Sequence, residues 1–151
     1  MPATIEDYAR ALADGIVAAI PGWVVACVER VMLVRVGHLP PEVARAAAAA
    51  GEQARAEMGP AIRQLLEADI DQQRSTPLAM LRVAVRYPTL VLRQASVAPA
   101  VRDRFAVEAF PDDDYDLSPA ALADVSPSLT ALGITWGAAK AFEHKRRHRR
   151  P

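Results

Sequence analysis

Cysteine is almost missing: Cys27 alone occurs in 151 residues, so no disulfide can close within the chain and a cysteine metal cluster would need other chains. Lysine is scarce too, with only Lys140 and Lys145, and arginine supplies 16 of the 18 basic residues. The seven glycines are scattered and none precedes Lys-Ser or Lys-Thr, which excludes a phosphate-cradling loop. No serine stands in G-x-S-x-G, so the nucleophile elbow of a hydrolase has no anchor. Aromatics are few; Trp23, Tyr87, Phe105, Trp136 and Phe142 are too widely spaced for a base-stacking platform and suit core or interface anchors. No apolar run is unbroken over the ~20 residues a bilayer requires, because Pro21, Gly22, Glu29, Arg30 and Arg35 interrupt the stretch 16–36, which argues against a membrane span. Glu6 and Asp7 stand where a signal peptide would be basic, and with the lone cysteine this gives a cytoplasmic expectation.

What is abundant is alanine, 31 residues, in a chain that is 52% hydrophobic and 24% charged. That composition favours helix and excludes collagen, a disulfide scaffold and a wholly disordered chain. Excess alanine and arginine with little lysine is also what a GC-rich bacterial genome writes. The expectation is an all-α fold, a compact bundle of about six to eight helices over residues 1–143, with a basic tail at 144–151 projecting from the last helix.

Local signals divide the bundle. Thr4 with Asp7 three residues on reads as a capped start, and Ile5, Tyr8, Leu12 and Ile16 recur on one side of a helix over about 4–20. Pro21 opens a second segment, 22–36, apolar all round and rich in valine; its length favours a central buried helix over a strand. Gly37 stops it, and Pro40 and Pro41 begin the next helix. Gly59-Pro60 predicts a kink or break before Ile62, Leu65, Leu66 and Ile70. Ser75, Thr76 and Pro77 form a further start; Pro88 should force Tyr87 into extended backbone, with helices following at 89–95 and about 99–108. Ser118-Pro119 and Ser126-Pro127 begin two short helices, Gly133 ends that pair, and a last helix runs from about Thr135 into the tail.

The zero net charge conceals segregation. Lys145, Arg146, Arg147, Arg149 and Arg150 make the last seven residues +5, leaving 13 basic and 18 acidic residues, −5, in 1–143. Residues 72–104 carry six arginines against Asp103, and 105–125 carry six acids and no base. Arg82, Arg86 and Arg93 would line one side of a continuous helix, where guanidinium forks could hold phosphates or pair with the chain's own acids. Asp112, Asp113 and Asp116 match the D-D-x-x-D spacing by which isoprenoid synthases hold magnesium. Those enzymes set the motif on a helix of a longer chain with a second acidic cluster; here Pro111 precedes it in a loop at 110–117. His144 and His148 lie four apart, a metal spacing opposed by the surrounding cations, and His38 suits a helix end. Cys27 lies among valines, where a thiol is inert.

Ser75-Thr-Pro-Leu-Ala-Met-Leu-Arg82, Arg86-Tyr-Pro-Thr89, Phe110-Pro-Asp-Asp-Asp-Tyr-Asp-Leu117 and Trp136-Gly-Ala-Ala-Lys140 resemble a family of small uncharacterised actinobacterial proteins. That resemblance implies a bacterial, cytosolic protein and no particular activity. The leading expectation is a non-enzymatic interaction module whose basic arm, Lys145, Arg146, Arg147, Arg149 and Arg150, docks on an anionic partner such as RNA, DNA or an acidic protein surface, with Arg82, Arg86 and Arg93 as further contacts. The alternative is a small metal-dependent enzyme or cation-binding protein on the loop 112–116, with Asp112, Asp113 and Asp116 as ligands. No motif implies a cofactor. A homodimer through the segment from Trp23 to Val36 is a third expectation.

Overall fold

A computed structural model of the chain describes residues 4–68 and 77–148, apart from the side chains of residues 67, 68, 144, 147 and 148. The expected Ser75-Thr76 cap, Ile70, Arg74, Arg149 and Arg150 lie outside the described residues. The fold is all-α. Among the described residues there are six α-helices, α1 (Ile5–Arg35), α2 (Pro41–Ala68), α3 (Pro77–Val83), α4 (Arg86–Gln94), α5 (Arg104–Ala109) and α6 (Ser128–His148), with a 3₁₀ turn at Leu122–Asp124 and no strand.

The first helix starts as its sequence dictates. The Thr4 hydroxyl accepts from the Asp7 amide at 3.2 Å, and the Thr4 amide donates to the Asp7 carboxylate at 2.9 Å, satisfying two groups that a helix end leaves unpaired. Its end is also legible: the Val36 and Gly37 amides both donate to the Met32 carbonyl, and Gly37 takes φ +96°, a conformation glycine adopts without a Cβ penalty.

Between those ends the chain departs from expectation. The two helices expected around Pro21 are one helix of 31 residues with Pro21 inside it, and residues 22–36 are helical throughout. Gly59-Pro60 likewise lies within continuous α2. An internal proline costs one hydrogen bond and a local clash, and burial of the surrounding apolar face outweighs that here. Around Pro21 the buried residues are Ile16, Val17, Ile20, Trp23 and Val24, and each large apolar side chain contributes about 1.5–3 kcal/mol on burial.

The centre of the molecule is α1. It packs most extensively on α2, then on α6 and α4. Leu12, Ile16, Ile20, Val24 and Val28 are fully buried against Ile62 and Leu66 of α2, Leu92 of α4 and Leu129 of α6. Helices come close where glycine permits: a Cβ on Gly51 would stand 2.8 Å from the Cα and carbonyl oxygen of Pro21, and one on Gly15 would stand 2.7 Å from Leu132 Cδ1. Gly133 follows the same logic. Expected as a helix stop, it lies inside α6, where a Cβ would meet Leu122 Cδ1 at 2.7 Å.

Further corrections fall in the second half. Tyr87 is helical, not extended, because Pro88 is the third residue of α4, in a first turn whose amides have no intrahelical partner to lose. The helix expected over 99–108 is reduced to α5, which Asp103 caps by accepting from the Ala106 amide at 2.7 Å. After Ser118-Pro119 only the 3₁₀ turn forms, with the Asp124 carboxylate accepting from the amides of Ala120 and Ala121.

The apolar segment from Trp23 to Val36 is explained mainly by the chain's own core. Trp23, Val24, Cys27, Val28, Val31 and Met32 are buried, while Leu33, Val34 and Val36 are exposed at the helix end. By length and composition alone α1 could cross a membrane; half of its most apolar window is buried inside the molecule.

Candidate functional site

The arginine row and the aspartate loop meet at one cleft. It has a volume of about 920 Å³; α2 forms one wall through Ala46, Ala50 and Glu57, α3 and α4 a second, and the loop from Phe110 to Asp113 the rim. Arg82, Arg86 and Arg93 all line it. A short turn after Val83 separates α3 from α4, so the three arginines do not lie on one continuous helix, yet all of them line the same cleft.

Each arginine is held differently. Arg93 donates from Nε to the Asp114 carboxylate at 2.8 Å and pairs with it again through a terminal nitrogen. Arg86 donates to the Tyr87 hydroxyl at 2.9 Å and lies 3.9 Å from Glu57. The Tyr87 hydroxyl donates to Glu57 at 3.0 Å, and this bond, after the one from Gln53, holds the Glu57 carboxyl below its ordinary range. Arg82 is half-buried and has no carboxylate partner among the described residues: its Nε donates to the Pro119 carbonyl at 3.2 Å, and its guanidinium lies over the Phe110 ring, 5.2 Å from the centroid. In the same wall Thr89 is 2% exposed and its hydroxyl has no hydrogen-bond partner. A buried, unpaired hydroxyl is costly, and the few found in folded proteins call for an explanation.

The aspartates are distributed rather than convergent. Asp113 is buried, one carboxylate oxygen accepting from the Leu117 amide at 2.7 Å and the other from the Ser118 amide at 2.8 Å. Asp114 is taken by Arg93, Asp112 is exposed, and Asp116 occupies the left-handed region at φ 59°. Between them Tyr115 is buried and donates to the Val97 carbonyl at 2.6 Å; desolvation, then Asp114, pushes its hydroxyl above the ordinary tyrosine range. Among the described residues no three His, Cys, Asp or Glu side chains gather as a metal site, so Asp112, Asp113 and Asp116 do not form a ligand set. Asp113 orders the loop through its backbone amides, and Asp114 pairs with the arginine row.

Arg102 and Arg104, in the same block, serve locally. Arg102 donates to the carbonyls of Ala106 at 2.6 Å and Phe110 at 2.7 Å, closing the end of α5, and Arg104 pairs with Glu108.

No described residue of the basic end lines the cleft. In α6 the buried residues are Leu129, Trp136 and Lys140, the last with its ammonium 4.7 Å from the Trp136 ring centroid, and the helix then continues to His148. Lys145 and Arg146 are exposed, and Arg146 pairs one turn back with Glu143, whose carboxyl that bond lowers. Cys27 is buried; desolvation pushes its thiol up to about 12, consistent with an inert core residue.

Sequence reasoning identified the arginine row and the loop but not Glu57, Tyr87 or Thr89 as members of one site. Glu57 is 30 residues from Tyr87 along the chain, and no periodicity links α2 to α4. Comparisons with protein-family models, curated proteins and solved structures each found no match, so the roles of these residues rest on their geometry.

Proposed function

We propose that the protein is a non-catalytic helical interaction module that docks on an anionic macromolecule, with nucleic acid as the first candidate, through the basic end of its last helix. The carrying observation is that α6 runs on to His148 past Lys140, the last buried residue among its described side chains, with Lys145 and Arg146 exposed on a chain whose first 143 residues sum to −5. Arg147, Arg149 and Arg150 complete the +5 end. Cations presented beyond a folded body displace counterions from a polyanion and need no sequence readout. The close pairing of Arg93 with Asp114 takes one cation from the arginine row, which favours the helix end as the main macromolecular contact. Asp113, one of the three aspartates of the cation-dependent alternative, accepts from two backbone amides, which counts against that reading.

The test is titration of RNA and duplex DNA against the full chain and against a variant with all five cations, Lys145, Arg146, Arg147, Arg149 and Arg150, changed to Gln. If all five contact phosphate, log affinity for the duplex falls against log salt with a slope of about −4 to −5, and the variant loses that dependence. Equal affinity of the two proteins, or none for either, refutes the proposal. Binding to an acidic protein surface but not to nucleic acid would replace the partner while keeping the docking element.

A further inference from the structure

We infer that the cleft between α2, α4 and the loop from Phe110 to Asp113 is a binding site for a small amphiphilic oxyanion, a phosphomonoester or carboxylate carrying an apolar body. This inference is independent of the basic end of α6.

Three observations point to that chemistry. The volume, about 920 Å³, falls in the range of small-molecule sites, ~300–1,000 Å³, and its walls combine alanines and valines with a few polar groups. Arg82 supplies an unneutralised cation: the Pro119 carbonyl and the Phe110 ring fix its plane through Nε and one face, and its terminal nitrogens are left to form the bidentate fork that matches an oxyanion. Arg86, set 3.9 Å from Glu57, is only loosely neutralised and stands four residues along the same surface. The third observation is Thr89, whose buried hydroxyl has neither donor nor acceptor among the described residues. The oxygen itself is covered, so a ligand oxygen would satisfy it only by parting the side chains over it.

The apolar body has a place as well. Val83 and Leu90 line the cleft and are 55% and 54% exposed, large aliphatic side chains left in water beside the cations. A simple inorganic anion would leave them uncovered and a simple hydrocarbon would leave Arg82 unpaired, so one molecule carrying both features fits the site. The carboxylates in the wall do not block it: Asp113 is turned onto two backbone amides, and Glu57 is held by Gln53 and Tyr87. Asp112, exposed on the rim, opposes an anion, and Asp112→Asn is expected to tighten binding a few-fold.

Calorimetric titration of the full chain with decyl phosphate, decanoate, decanol and inorganic phosphate tests the inference. One molecule of decyl phosphate or decanoate is expected to bind per chain, the tighter of the two naming the head group, with decanol and inorganic phosphate at least tenfold weaker. Arg82→Gln should weaken the amphiphile at least tenfold. Leu90→Glu, at an exposed position that folding tolerates, should do the same by repelling the anion and removing apolar contact. Changing the five cations at the end of α6 to Gln should leave binding intact, which separates this site from the docking element. Decanol binding as tightly as decyl phosphate, no amphiphile binding below millimolar concentration, or binding that survives both Arg82→Gln and Leu90→Glu overturns the inference.

Discussion

Replacing Gly51 by alanine asks whether α1 and α2 cross at Pro21 as closely as the structure has them. The added Cβ would stand 2.8 Å from both the Cα and the carbonyl oxygen of Pro21. Carbon atoms rest at about 3.5–4.0 Å, so the two backbones would have to separate by about 0.7–1.2 Å at the crossing. The obstacle is backbone, which cannot rotate aside as a side chain can. Ala47 and Ala54 of α2 and Ile20 and Val24 of α1 are buried beside it, and separation would loosen their packing. Overpacking of this kind costs typically 1–3 kcal/mol, and a rigid obstacle belongs at or above the upper end, while alanine returns about 1 kcal/mol of helix propensity. The net expectation is a loss of about 2 kcal/mol, or a fall in Tm of about 4–8 °C for a chain of this size. Gly22 and Gly137 have nothing within 4 Å of their added Cβ and serve as controls: alanine at either should gain about 0.5–1 kcal/mol. Urea unfolding of the three variants, read by circular dichroism, gives the comparison. If Gly51→Ala is as stabilising as Gly22→Ala, the close crossing is wrong and the role assigned to Gly51 falls with it.

Asp113→Ala should destabilise by about 2–4 kcal/mol in urea unfolding, because it strands the Leu117 and Ser118 amides that the buried carboxylate satisfies; a loss under 0.5 kcal/mol would remove its organising role. Thr89→Val should stabilise the unliganded protein by about 1 kcal/mol by removing a hydroxyl that has no partner, and a destabilised variant would mean that the hydroxyl is satisfied in solution. Cys27 sets an alkaline limit: its folded thiol is raised to about 12 from 9.0, so the associated stability is complete below about pH 9 and drains away as pH climbs towards 12. Thiol reagent at pH 8 should therefore react only with unfolded protein, and rapid labelling without unfolding would contradict the burial. Melting in millimolar magnesium or calcium should leave Tm unchanged, since no carboxylate trio converges among the described residues; a rise of several degrees would restore the cation reading of the loop.

Helix ends were the most legible part of the sequence where a local chemical device makes them. The reciprocal bonds of Thr4 and Asp7, the positive φ of Gly37 and the proline at the start of α2 depend on neighbours a few positions apart. Interior signals misled, because their meaning is set by another part of the chain. Pro21 and Pro60 read as breaks, and Gly133 as a stop, until tertiary packing outweighs the local penalty or a side chain such as Leu122 takes the space a Cβ would fill. The site shows the same division. Arg82, Arg86 and Arg93 were visible as a row, but only the fold could show that Asp114 claims one, that Glu57 loosely holds another, and that Arg82 has no carboxylate partner.

The length of α1 has a consequence for how the protein is made. At 31 residues it is about 46 Å long and leaves the ribosome before the helices it packs on. Its partner α2 follows at once, but Leu129 and Leu132, which stand against α1 at Gly15, emerge some sixty residues after α2 ends, about 3–12 s later at ordinary translation rates. Until then a strip of the mast around Gly15 stands bare. Synthesis therefore passes through a two-helix hairpin with one sticky side, the stage at which a chaperone would have most to hold and at which arrested chains should aggregate.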